Sequence, residues 1–307
     1  MPLHPRIVGA LKAATQFPPY DTLPVGAARA FVKLGYPPRT PPVPVRAVEN
    51  RAIPGPGGSM PIRIYRPEAV GLLPVLMFFH GSGFVVLDLD SHDDICRRLC
   101  RDAQYIVVAV DYRLAPEHKF PAAPDDCLAA TRWVADHASE IGGDATRIAV
   151  AGDSAGGCLA AVTALRVRDE GGPVLRGQLL FFPVTDYYDP PTASYAQFAQ
   201  GYGLTQKGMR WFWDHYLTHP NEADDPRASP LRASSFAGLP PACVLTAEYD
   251  VLRDEGERFA ARLVEAGVAA TLQRCDGLNH GFIKWAGEIE AATAAVTFAC
   301  AWLRGRV

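Results

Sequence analysis

The sequence predicts an α/β fold: a mainly parallel central sheet flanked by helices, with a helical cap. Three observations lead there. From Leu72 onward, short apolar runs alternate with helix-like segments, the pattern of successive strand–helix units. Those runs do not alternate in polarity, so their strands are covered on both faces, as in parallel sheets. One connection, residues 185–242, is far longer than the roughly 4–6 residues usual between elements, and it must hold structure of its own.

The elements follow in order. Residues 1–45 mix short helical stretches with Pro-rich breaks: Leu3, Ile7 and Leu11 recur on one helix face, and Val25, Ala28 and Val32 on a second. From Val45 to Arg66, two strand-like runs flank PGPGGS, an antiparallel hairpin with a floppy tip. Candidate strands then cover 75–79, 105–110, 147–152, 178–184, 243–247 and 271–275, with helices at 91–103, 124–138, 155–169, 254–266 and 286–304. The long connection carries an aromatic helix from about Thr205 to Leu217, with Met209, Phe212, Trp213, Tyr216 and Leu217 on adjacent turns. The expected division is a cap from residues 1–45 and 187–228 over a catalytic body of 46–186 and 229–307. The alternative for any one of these aromatics is local core packing.

Composition narrows the function. With 49% hydrophobic and 21% charged residues the chain can bury a sizeable core. A net charge of −3 offers no basic field for phosphate backbones, so nucleic acid is not an expected partner. The 7 cysteines are scattered without a C-x-x-C pair, which suits small buried hydrophobes in a reducing, cytoplasmic setting. The N-terminus lacks an apolar leader core, and the stretch Leu72–Leu87 is broken by Pro74, His80, Gly81 and Gly83, so no membrane span is expected. His215 and His219, spaced i, i+4 on the aromatic helix, could pair on a metal but lack a third ligand, as do Cys96 and Cys100. No metal site is expected.

The chemistry centres on Gly152-Asp153-Ser154-Ala155-Gly156, a G-x-S-x-G between a strand and a helix. That turn projects a serine hydroxyl on a strained backbone, next to the free N–H groups of a helix start. The hydroxyl needs a base and an orienting acid. His280, in DGLNHGF just after the last strand, has the right context among eight histidines. Asp250 closes the strand CVLTAEYD and is chosen over Glu248 and over Asp254, which reads as a capping-box acid with Glu257. Asp153 adjoins the serine and should point elsewhere; Asp125 and Asp126 read as helix-start acids. The loop His80-Gly81-Ser82-Gly83-Phe84 follows another strand, where small residues let backbone N–H groups face a developing oxyanion.

These elements together resemble the hormonesensitive-lipase-like esterases, the bacterial family IV carboxylesterases. HGSGFVVLDLDSHDDICRRLC, VVAVDYRLAPEHKFPAAPDD, AVAGDSAGG, EYDVLRDEG and NHGF carry the resemblance from about Leu73 onward. It implies an α/β-hydrolase fold with a helical cap, no cofactor, and hydrolysis of short- to medium-chain acyl esters through an acyl-enzyme. Carried across, Ser154 is the nucleophile, His280 the base and then acid, and Asp250 its orienter. The oxyanion donors are the N–H groups of Ser82, Gly83 and Ala155, with His80 and Gly81 shaping that loop. Arg113 and Glu117 fall in a brace for the site. Phe84, Phe198, Tyr202, Trp211 and Trp213 are candidates for the substrate pocket, and the chain is expected as a monomer or as a homodimer through its last strand. Two positions depart from the family. Ser82 replaces the middle glycine of HGGG, and a left-handed backbone there would cost about 1 kcal/mol or more. Its hydroxyl is expected to touch the site water or leaving group. Val251 stands where proline often follows the acid, with an effect on loop stiffness only. A non-catalytic small-molecule receptor on the same fold, an amidase and a lipase are the alternatives.

Overall fold

The computed structural model describes residues 1–306. Two short helices open the chain, α1 (Pro5–Ala14) and α2 (Val25–Leu34), where the apolar repeats lie. The hairpin β1 (Ala47–Gly55) and β2 (Gly58–Arg66) follows, paired from Ala47↔Arg66 to Gly55↔Gly58. The turn is therefore only Pro56 and Gly57, and most of PGPGGS is ladder rather than a floppy tip. Pro54 is tolerated because β1 is the sheet edge.

The alternating region folds as β3 (Leu73–Phe79), α3 (Asp93–Ala103), β4 (Ile106–Val110), α4 (Ala122–Asp136), β5 (Gly143–Asp153), α5 (Ala155–Glu170) and β6 (Leu175–Phe181). The long connection holds α6 (Ala193–Gln197) and α7 (Gln206–Tyr216). The chain returns through β7 (Ala242–Tyr249), α8 (Arg253–Glu265), β8 (Ala270–Asn279) and α9 (Glu290–Arg304). The strand expected to reach 184 stops at Phe181, because Phe182 takes φ 36° and Pro183 follows.

The sheet runs β1-β2-β4-β3-β5-β6-β7-β8, parallel from β4 to β8. Its apolar strands divide their side chains between two cores. Val75, Met77 and Phe79 enter one with α4, α5 and α8; Leu76 and Phe78 enter the other with α3 and α9. Both faces of β3 and β4 are thus buried, the reason their sequences do not alternate. Each such side chain contributes roughly 1.5–3 kcal/mol by leaving water. All seven cysteines are free and buried. No helix among the described residues is long and apolar enough to cross a membrane.

Chain order positions the site. From β3 the chain moves outward to β4, then back across to β5, so the carboxyl ends of β3 and β5 lie beside a topological switch, where a crevice forms. The loop 80–84 leaves β3 there and Ser154 leaves β5. Above this edge lie α1, α2 and α7. Arg29 of α2 fastens the N-terminal segment down: it donates to the carbonyls of Val85 (2.8 Å) and Ala115 (2.9 Å) and pairs with Glu117 (2.6 Å).

Candidate active site

Ser154 sits between β5 and α5 at φ 55°, ψ −121°, a backbone that side-chain-bearing residues rarely adopt. Its surroundings hold it there. Its N–H donates to the Phe181 carbonyl (2.9 Å), and its own carbonyl accepts from Cys158 and Val184 (3.1 Å each). The neighbouring glycines are required by close approach. A Cβ at Gly152 would strike the Gly156 backbone, and one at Gly156 would strike the Phe79 carbonyl.

β7 and β8 bring the other two groups together. Tyr249 pairs with Asn279 in the ladder, so the next residues, Asp250 and His280, emerge side by side. The His280 ring spans the gap: Nδ1 is 2.7 Å from Asp250 Oδ2, and Nε2 is 2.9 Å from Ser154 Oγ. Asp250 is 1% exposed, and its other oxygen accepts from the Leu252 N–H (3.0 Å). Phe182 meets the ring edge-on at 4.8 Å and closes it from one side. Such a row can pass the serine proton to Nε2 while the carboxylate holds the Nδ1–H tautomer.

The rival acids have other work. Glu248 accepts from the Gly277 N–H (2.7 Å). Asp254 does not form the expected capping box, because α8 already begins at Arg253 with Leu252 as its cap. Its carboxylate instead accepts from the Ser194 N–H (2.7 Å), tying α6 to α8. Asp126 is no solvated helix-start acid either: it is 2% exposed and ion-paired with Arg113 at 2.8 Å.

Three backbone N–H groups, those of Ser82, Gly83 and Ala155, have no hydrogen-bond partner among the described residues. The loop carrying the first two is heavily braced. Asp153 turns away from its neighbour Ser154 and accepts from the Gly81 N–H (2.7 Å), with His92 Nε2 at 3.3 Å behind it. Tyr112 Oη donates to the His80 carbonyl (2.6 Å). The Ser82 hydroxyl does not face the cavity as expected. It donates to Tyr112 Oη (2.6 Å) and accepts from the Phe84 N–H (2.8 Å), closing a relay within the loop. The left-handed positions are Gly83 (φ 52°) and Phe84 (φ 65°), not Ser82, so the serine carries no such strain. His80 is 2% exposed and stacks on Tyr112 at 4.5 Å; burial, with His92 nearby, lowers its pKa to about 4 and keeps it neutral. Asp153, His92 and Tyr112 were missed as site residues. The only local signal was the position of Asp153 inside G-D-S-A-G.

A cavity of about 520 Å³ opens over Ser154 and His280. Of the five aromatic candidates, Phe84 and Trp213 line it; Phe198, Tyr202 and Trp211 do not. Phe198 and Tyr202 pack on Tyr249 at 5.6 and 5.1 Å, and Trp211 packs outward on His215. The reason is helical phase. Met209, Phe212 and Trp213, at i, i+3 and i+4 of α7, share the inward face, and Trp211 falls between them. The opposite wall comes from the N-terminal segment through Phe17, Phe31 and Tyr36. His215 and His219 do not share a helix face, because α7 ends at Tyr216 and Leu217 is extended. Among the described residues, no group of three His, Cys, Asp or Glu could hold a metal.

A family model described as the alpha/beta hydrolase fold matches residues 76–284. The carboxylic ester hydrolase LipN of Mycobacterium tuberculosis is 47% identical over 242 residues, covering 77% of this chain and 64% of that protein. The esterase LipI of the same organism is 46% identical over 265 residues, covering 84% of this chain and 82% of its own length. Among solved structures, the hyperthermophilic esterase from the archaeon Pyrobaculum calidifontis superposes with a TM-score of 0.94 at 40% identity, covering 99% of both chains.

Proposed function

This chain belongs to the alpha/beta-hydrolase-fold family and within it is a carboxylic-ester hydrolase, and we propose that it cleaves short- to medium-chain acyl esters through an acyl-enzyme on Ser154. His280 Nε2 takes the proton as Oγ attacks the ester carbonyl, and Asp250 steadies the imidazolium that forms. The N–H groups of Ser82, Gly83 and Ala155 receive the negative charge on the carbonyl oxygen; each donor of this kind contributes about 3 kcal/mol in the transition state. His280 then hands its proton to the leaving alcohol. A water molecule, deprotonated by the same imidazole, attacks the acyl-enzyme and releases the acid.

The single observation that carries this reading is the unbroken row Asp250–His280–Ser154, at 2.7 and 2.9 Å. The partly open, mainly apolar cavity of about 520 Å³ beside it supports small esters rather than lipid surfaces as substrates. The test is a pre-steady-state assay with p-nitrophenyl butyrate. The wild type is expected to release a stoichiometric burst of p-nitrophenol, and Ser154→Ala to lose at least roughly a thousandfold in kcat. Undiminished turnover by Ser154→Ala would remove the serine from the mechanism, and a wild type that binds esters without releasing phenol would be a receptor.

A further inference from the structure

The wall of the catalytic cavity carries one cation that nothing neutralises. Lys284 lies in the short turn Phe282–Trp285, one turn past His280, and lines the same cavity as Ser154. No carboxylate among the described residues is within ion-pairing distance of its ammonium, and it donates no hydrogen bond. Its neighbours are the ring faces of Tyr36 at 4.9 Å and Trp285 at 5.5 Å. The surrounding cations behave differently. Arg29 is paired with Glu117, Arg39 with Asp94, and Arg6 with Glu288. The one carboxylate on the cavity wall, Asp153, is 2% exposed and already held by Gly81 and His92.

Tyr36 adds a second donor. Its hydroxyl makes no hydrogen bond to the protein and stands 3.4 Å from where a Cβ on Gly281 would lie, directly beside the histidine loop. An ammonium and a phenol therefore border an apolar chamber next to the reacting atoms. Burial lowers the basicity of Lys284, and no acid nearby offsets that cost. An anion arriving in a low-dielectric wall would offset it, through a charge-assisted hydrogen bond stronger than one made in water.

Resting on the esterase reading above, we propose that Lys284, with Tyr36, forms an anion subsite and that the preferred substrates are esters bearing a carboxylate. The carboxylate could sit on the acyl side, as in hemiesters of short dicarboxylic acids, or on the alcohol side. The experiment compares kcat/KM within two matched pairs: monoethyl against diethyl succinate, and 4-acetoxybenzoate against its methyl ester. Wild type, Lys284→Met, Lys284→Arg and Tyr36→Phe are assayed, with melting curves to show that each is folded. In Lys284→Met the anionic-to-neutral ratio is expected to fall roughly ten- to a hundredfold in one pair, mainly through KM. Lys284→Arg should retain much of the ratio and Tyr36→Phe should lose a smaller part, and the pair that responds identifies the side of the ester. Ratios unchanged in Lys284→Met, or a wild type that turns over the neutral esters and rejects both anionic ones, would overturn the subsite. A wild type inert toward all four esters would instead count against the esterase reading.

Discussion

Ser82 shows how one hydroxyl can take over a role that glycine leaves to the backbone. Its Oγ links the Phe84 N–H to Tyr112, which in turn holds the His80 carbonyl, so the two donors of the loop are pinned from behind. Ser82→Ala would leave a buried N–H and a phenol oxygen each short of a partner, at about 1–3 kcal/mol apiece. The expected result is a fall in kcat of about tenfold with KM nearly unchanged, since the donors act mainly on the transition state; steady-state kinetics on p-nitrophenyl butyrate checks it. At this scale Ser154, His280 and Asp250 could be read from the chain, because each follows a strand in a distinctive short motif. The braces could not. Asp153 meets Gly81 and His92 across 72 and 61 residues of sequence, and nothing local to any of them announces the contact.

Helical phase decides what α7 offers the substrate. Its N-cap is Thr205, whose Oγ1 accepts from the Gly208 N–H at 2.9 Å, and this fixes where the inward stripe begins. Phe212 on that stripe packs so closely on Gly83 that a Cβ there would strike its ring. Phe212→Ala should therefore enlarge the cavity beside the oxyanion loop. The rate ratio of p-nitrophenyl octanoate to butyrate is expected to rise several-fold, measured as kcat/KM for each ester. The stripe itself was legible in the spacing of Met209, Phe212 and Trp213. Which aromatics reach the cavity was not, since Phe198 and Tyr202 are turned toward Tyr249 by the packing of α6 on the body. The same holds for Asp254, whose place in α8 depends on where that helix starts in three dimensions.

Over the whole molecule, the buried His80 ties stability to pH. Its folded-state pKa of about 4 lies below the ordinary 6.5. The unfolded chain therefore takes up a proton below pH 6.5 that the folded protein refuses. The stabilisation is fully present above pH 6.5 and is lost as pH falls toward 4, at up to about 1.4 kcal/mol per pH unit. Glu255, raised well above its ordinary value by burial, runs the opposite way but is common to wild type and variant. The melting-temperature gap between wild type and His80→Gln should accordingly narrow by a few degrees from pH 6.5 to pH 4; a constant gap in thermal melts would rule out this linkage.

Taken alone, the chain determined the alternation of strands and helices, the double-sided burial of the sheet and the three residues of the row. Those follow from local periodicity and from motifs only a few residues long. Tertiary structure decided the tight hairpin turn, the brace behind the oxyanion loop, the inward face of the cap and the solitary ammonium in the cavity wall. Each of these depends on which distant groups come to lie within a few ångströms, and partners far apart in sequence leave no periodic trace in it.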